Sequence, residues 1–163
     1  MHELNPFFCG GNKMLDNRFL SVSGVVIREN KVLLVRQSYG AAKGLLIIPG
    51  GYLSQGEMPN TALEREIFEE TGIVVLTEEL IAIRFSNKDW WAIFSTKYIS
   101  GEPTPDGNEN DAAMFLDIEH ALLRDDLTYT TKEILKNFTA NSKLSLSSFC
   151  PNGIDPENYK LYK

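Results

Sequence analysis

The stretch from Pro49 to Gly72 constrains the fold of this chain more than any other. Pro49-Gly50-Gly51 must turn, and Gly56 to Met58 continue a loop. Pro59 suits a first helical position, where the N–H it lacks would have no partner anyway. Thr61 to Thr71 then reads as helix, and Gly72 as its stop in the left-handed conformation. A short helix is therefore held between two loops. Leu63 and Ile67, at i and i+4, are its stripe for the core.

The same segment carries five glutamates (Glu57, Glu64, Glu66, Glu69, Glu70) and Arg65. On a helix, Glu66, Glu69 and Glu70 stand at i, i+3 and i+4 and share one face. Like charges at that spacing each cost about 0.2–0.5 kcal/mol of helix stability. Helix propensity does not explain three on one stripe. A solvated acidic face is one reading. An oxygen-only site for Mg²⁺, which binds through one or two carboxylates plus waters and substrate phosphates, is the other. Gly50-Gly51 permits a tight backbone whose freed carbonyl at Gly50 is placed to face the same ion. Arg65 lies four residues before Glu69 and can brace it, or reach Glu57 across the loop; either orients the metal ligands.

Around this segment the pattern is β-rich. Phe19 to Ile27 and Lys31 to Arg36 read as a hairpin closed by Glu29-Asn30. Leu45 to Ile48 is a short apolar run. Ile73 to Leu76 leading on to Leu80 to Phe85, then Trp90 to Ile99, then Ala112 to Asp117 read as strands. Gly101 to Asn110 is a loop, and Glu119 to Arg124 and Thr130 to Phe138 read as helices. The expected fold class is α/β, helices flanking a mixed sheet. Residues 1–18 read as an irregular segment, 19–139 as the folded domain, and 140–163 as a tail without a clear period.

The bulk properties exclude several classes. A chain of 163 residues, 43% hydrophobic, fits one domain. No apolar run approaches the roughly 18 residues that span a bilayer, so no membrane partner is expected. The first residues do not read as a secretory signal, which makes the cytoplasm the expected location. The net charge of −6 argues against a nucleic-acid polymer as partner. Small phosphorylated substrates stay open, because a metal ion supplies the missing positive charge. Cys9 and Cys150, with His2 and His120, make no recognisable zinc spacing and read as reduced structural thiols.

Gly51, Glu57, Arg65-Glu66-Ile67, Glu69-Glu70 and Gly72-Ile73, preceded by Ile48-Pro49-Gly50, resemble the Nudix box residue for residue. The resemblance to this family, MutT-like in type, implies an α/β/α sandwich with a mixed sheet and a catalytic loop–helix–loop. It implies hydrolysis of a nucleoside diphosphate linked to another group, with water attacking phosphorus. It also implies divalent ions, Mg²⁺ with Mn²⁺ as a substitute. By position, Glu66, Glu69 and Glu70 become metal ligands, with the Gly50 carbonyl as a fourth and Glu66 as candidate general base. Arg65 and Glu57 become braces, and Gly51 and Gly72 shape the loops. Some members draw one more acid from beyond the box; here Glu109 is the candidate, with Asp111 behind it.

Substrate choice is less legible. The Ser-Gln-Pro-Trp motif of reduced nicotinamide dinucleotide hydrolases is absent. So is the proline of many ADP-ribose hydrolases, the corresponding region reading Asn87-Lys88-Asp89. Trp90, Trp91, Phe85 and Tyr39 are candidates to hold a base, and on a strand Trp90 and Trp91 face opposite sides. Arg36, Lys43 and Arg84 are candidates to meet phosphates. The first expectation is hydrolysis of a substrate such as ADP-ribose or a sugar nucleotide; the alternative is a (d)NTP pyrophosphohydrolase. A nucleotide-binding module without turnover is the reading from another class, and an isomerase would need a cysteine that Cys9 and Cys150 are wrongly placed to supply. A homodimer is compatible with the resemblance.

Overall fold

Glu29 and Asn30 both take left-handed backbone, φ 51° and 61°. Two such residues close a hairpin whose twist matches its strands. The strands β1 (Leu20–Arg28) and β2 (Lys31–Gln37) leave this turn paired only near its base, Ile27 with Val32 and Arg28 with Lys31. Farther out they part, and two short strands fill the opening. β3 (Leu46–Ile47) adds to β2, and β4 (Gly50–Tyr52) adds to β1. Pro49 between them accepts a backbone bond from Gly24 N–H at 3.0 Å. The structure is a computed structural model that describes residues 19–139, 144 and 147–163. The segment 1–18, with Cys9, lies outside the described residues.

Beyond β4 come the helix α1 (Pro59–Thr71), the strands β5 (Val74–Ser86), β6 (Trp90–Ser100) and β7 (Asn110–Asp117), and the helices α2 (Ile118–Leu123) and α3 (Tyr129–Thr139). β6 runs parallel to β1; β5 on β6 and β7 on β2 are antiparallel. The sheet is therefore mixed. Alternation along the strands sorts its two faces. Val22 and Val26 of β1 meet Leu63 and Ile67 of α1 on one side. Val25 of β1, Leu34 of β2 and Ile93 of β6 meet Ala121 of α2 and Ile134 and Leu135 of α3 on the other. This is the expected α/β/α sandwich. At Gly24 a Cβ would come within 2.8 Å of Ile67 Cδ1, so the missing side chain lets α1 settle onto β1.

The run read from Ile73 to Phe85 is one strand, β5, whose register on β6 shifts between Thr77 and Leu80 and again before Ala82. Bulges carry the strand through polar residues that break its alternation. In the stretch read as a tail, Tyr159–Tyr162 is a strand, β8, antiparallel to the outer edge of β5. A 3-10 turn, Pro156–Asn158, leads into it, capped where the Asp155 carboxylate accepts from Glu157 N–H at 3.0 Å. Leu161 of β8 is fully buried. Four residues are too few for a readable period. Among the described residues no helix is long and apolar enough to cross a membrane.

Candidate active site

The helix α1 begins at Pro59 and ends where Gly72, φ 69°, donates its N–H to Phe68 O at 2.8 Å. Its five neighbouring glutamates divide into three jobs. Glu64 accepts from Thr77 N–H at 2.9 Å and ties the helix to β5. Glu57, in the loop before the helix, accepts from Ser54 N–H at 2.9 Å and from Arg65 Nε and Nη2 at 3.0 and 2.9 Å. This fork, first, and the Ser54 N–H, second, hold the Glu57 carboxyl down at about 2. Arg65 also donates Nη1 to Glu66 at 2.8 Å and to Glu69 at 3.0 Å, and Nη2 to the Tyr52 carbonyl at 3.3 Å. It braces both Glu57 and Glu69, the two roles left open by spacing alone. Its own pKa rises, chiefly through Glu57.

The three glutamates expected on one face are on that face but not equally deep. Glu69 is largely exposed, Glu66 mostly covered, and Glu70 buried. The Glu66 carboxyl lies against β4: a Cβ on Gly51 would come within 2.4 Å of its Cδ. Gly51 is thus a glycine because that carboxyl occupies the space. Glu70 accepts from Gly50 N–H at 2.8 Å and from Asn110 Nδ2 at 2.9 Å. Burial raises both Glu66 and Glu70, Glu70 to about 7, against the pull of their hydrogen-bond partners.

The expectation of three carboxylates converging on one point is corrected here. Among the described residues no three His, Cys, Asp or Glu side chains stand close enough together to hold a metal ion. Glu66 and Glu69 gather around Arg65 while Glu70 turns to Gly50 and Asn110. Like charges separate and each takes the nearest donor.

Other candidates have definite places. Glu109, in the loop before β7, accepts from Tyr39 O–H at 3.0 Å, and the next residue, Asn110, donates to Glu70 at 2.9 Å. Burial, then the bond to Glu109, raises Tyr39 to about 12. Arg36 is paired with Asp111 at 2.6 Å on the strand pair β2–β7, so the two engage each other. Arg84 pairs with Asp89 and lies over the Trp91 ring at 5.0 Å. Trp90 and Trp91 do face opposite sides: Trp91 packs on the core beneath α3, and Trp90 sits between Phe19 and Phe85 at 5.8 and 5.0 Å.

Sequence reasoning missed Asn110. It is fully buried, donates to Glu70, and leaves its Oδ1 without a hydrogen-bond partner. Among the surrounding Asp106, Asn108 and Asp111 it looks like one more loop residue; only its burial distinguishes it.

The donor set suits a hard divalent cation on three grounds. It offers oxygen only. Two of its carboxyls, Glu66 and Glu70, are raised by burial, Glu66 in spite of the Arg65 guanidinium beside it. A buried acceptor, Asn110 Oδ1, has no donor beside them. Mg²⁺ keeps several waters and needs only one or two carboxylates directly, so a three-carboxylate cage is not required.

The NUDIX domain family matches residues 17–138. The chain belongs to the NUDIX family. Among its relatives in this family, an ADP-ribose pyrophosphatase of Methanocaldococcus jannaschii is 34% identical over 70 residues, 43% of this chain and 41% of that protein. A MutT-like protein of Streptomyces ambofaciens is 43% identical over 65 residues, 39% of this chain and 40% of that protein. The matches thus span about two fifths of the length of these two relatives. A solved NUDIX hydrolase from Nitrosomonas europaea superposes with a TM-score of 0.68 at 23% identity, covering 77% of this chain and 72% of that one; this likeness shows the NUDIX fold. NUDIX hydrolases generally use divalent metals and act on small nucleotide substrates.

Proposed function

We propose that this chain hydrolyses a pyrophosphate bond in a nucleoside diphosphate joined to a second moiety, ADP-ribose or a sugar nucleotide, with Mg²⁺ as cofactor and Mn²⁺ able to replace it. The observation that carries the reading is the placing of two covered carboxyls against the Gly50-Gly51 backbone: Glu70 accepts from Gly50 N–H at 2.8 Å, and the Glu66 carboxyl fills the space a Cβ on Gly51 would take. A single cation, Arg65, is shared by Glu57, Glu66 and Glu69, and none is bonded to Glu70. The name of the Methanocaldococcus relative supports the substrate class.

In this reading Glu66, Glu69 and Glu70 hold the metal, joined by the Gly50 carbonyl and by Glu109. When bound, such an ion would neutralise the diphosphate and lower the pKa of a water. Glu66, beside the Gly51 backbone, would accept the proton from the attacking water. Arg65 keeps loop and helix in register through Glu57 and the Tyr52 carbonyl. Asn110 and Gly50 N–H aim Glu70. A second reading with the same carboxylates is removal of pyrophosphate from (d)NTPs.

The test is a panel of ADP-ribose, UDP-glucose and the common (d)NTPs, each with Mg²⁺ and with Mn²⁺, products separated by chromatography. The expected result is release of a nucleoside monophosphate from a diphosphate-linked substrate, abolished by a chelator and restored by Mg²⁺. Turnover of (d)NTPs alone would select the second reading. A folded protein that turns over no member of the panel with either ion overturns both.

A further inference from the structure

β7 begins with a register shift against β2. Gln37 pairs with Asn110 and Arg36 with Ala112, which leaves Asp111 as an extra residue. Such a bulge re-aims the side chains beside it. Past the bulge the alternation is regular: Met114 and Leu116 pack towards α3, and Phe115 towards α1. Continued without the extra residue, it would point Asn110 to the α3 side. With the bulge, Asn110 crosses to the α1 side, where its Nδ2 donates to Glu70 Oε1 at 2.9 Å. Asp111 is left to pair with Arg36 at 2.6 Å.

The backbone here is fixed from both sides. Asp106 accepts from Glu109 N–H at 3.0 Å and from Asn110 N–H at 2.8 Å. Gly107 N–H donates to the Asn110 carbonyl at 3.1 Å. Across from them, Ser38 N–H donates to the Glu109 carbonyl at 2.9 Å, and Ser38 Oγ to the Asn108 carbonyl at 2.7 Å. Asn108 and Glu109 are exposed, and the next side chain, Asn110, is fully buried.

The amide of Asn110 is only half used. Its Oδ1 is buried and has no hydrogen-bond partner among the described residues. A buried acceptor without a donor destabilises a fold, and an apolar side chain would avoid that loss. Packing therefore does not account for an asparagine here; the bond from Nδ2 does. Gly50 N–H reaches Glu70 Oε2 at 2.8 Å while Asn110 reaches Oε1. With one donor on each oxygen, the carboxylate plane cannot turn without straining both bonds, and each oxygen keeps a lone pair for another partner. Glu66 and Glu69, by contrast, share the guanidinium of Arg65 on their own helix. Glu70 is held from two strands, β4 and β7.

We propose that Asn110 is a positioning residue of the metal site, placed there by the bulge, and that it acts through Glu70 by fixing the plane in which this carboxylate meets the ion. The inference rests on the reading of Glu70 as a metal ligand, and its test needs no turnover.

In a first measurement, Mg²⁺ is added to the isotope-labelled full chain, following the side-chain amide resonances of Asn110 and the backbone amide of Gly50. Both groups donate to Glu70, so both are expected to shift with a single midpoint. In a second, Mn²⁺ bound by the chelator-stripped chain is counted by electron paramagnetic resonance. Asn110→Ala is expected to bind Mn²⁺ about 10-fold or more weakly than the wild type, the loss that follows removal of a group bonded to a metal ligand. Its amide spectrum away from the site should stay that of the folded protein. An asparagine that serves the fold alone would lower the thermal midpoint and leave Mn²⁺ affinity unaltered well below it. Wild-type affinity in Asn110→Ala, or Asn110 signals that stay in place while that of Gly50 moves, overturns the inference alone. A wild-type chain that binds neither ion overturns the metal reading together with it. Should Asn110→Ala fail to fold, the Mg²⁺ titration of the wild type decides.

Discussion

Gly51 and Tyr52 are neighbours on β4, and alternation turns them to opposite sides of the sheet. Beside Gly51, each carboxyl of the loop–helix–loop has found a donor: Glu57, Glu66 and Glu69 share Arg65, and Glu70 has Gly50 and Asn110. Beside Tyr52, Arg84 is paired with Asp89 and lies over the Trp91 ring. The first region holds its geometry by itself, with an arginine where a metal and diphosphate would bring positive charge. The second is walled in part by Ile154 and Tyr159, from the segment beyond the family match.

The contrast can be broken most sharply at Glu70. Glu70→Gln keeps an acceptor for Gly50 N–H but loses the charge, and turnover is expected to fall by about 100-fold or more. A variant with wild-type turnover would remove Glu70 from the site.

The two glycines of β4 come next, since they are expected to fail differently. A Cβ on Gly50 would stand 2.1 Å from the Val22 carbonyl oxygen, and its φ of 150° disfavours any side chain. Gly50→Ala is therefore expected to lose about 2–4 kcal/mol of stability in chemical denaturation. The three atoms nearest a Cβ on Gly51 all belong to the Glu66 carboxyl, the end of a flexible side chain that can move. Gly51→Ala should cost under about 1 kcal/mol of stability while turnover drops about 10-fold, because Glu66 is displaced. Equal stability losses in the two variants would show that Gly51 serves the backbone and not the carboxyl.

The smallest effect concerns acid stability. Glu57 titrates at about 2 in the folded protein against an ordinary 4.5. Its pairing with Arg65 therefore stabilises the fold fully above about pH 4.5, and that contribution is lost as the pH falls towards 2. Glu57→Gln lacks it. Its stability deficit, about 1 kcal/mol at neutral pH for a partly exposed pair, should close over that window in denaturation curves. A deficit constant with pH would place the role of Glu57 elsewhere.

Much of this molecule can be read from the chain alone. Pro59 and Gly72 bound α1, Glu29-Asn30 closes the first hairpin, and the layering follows from Leu63 and Ile67. These are local signals, set by backbone conformation and by spacings within a few residues. The glutamates and Arg65 are legible for the same reason. The bulged course of β5 is not, because polar Glu78 and Glu79 interrupt an alternation that only pairing with β6 bridges. Arg36 shows the same limit in the site: its partner Asp111 lies on the neighbouring strand, 75 residues away.

Sequence by itself determined the turn–helix–turn, its acidic stripe and the bracing arginine, since residues three and four apart on a helix must meet. Tertiary structure alone decided that Glu70 is the deep member, that Asn110 holds it, that Glu109 meets Tyr39, and that β8 pairs with β5 beside Arg84. Each of these depends on burial or on contacts between distant segments. Desolvation belongs to the packed interior, so no residue carries it in its identity.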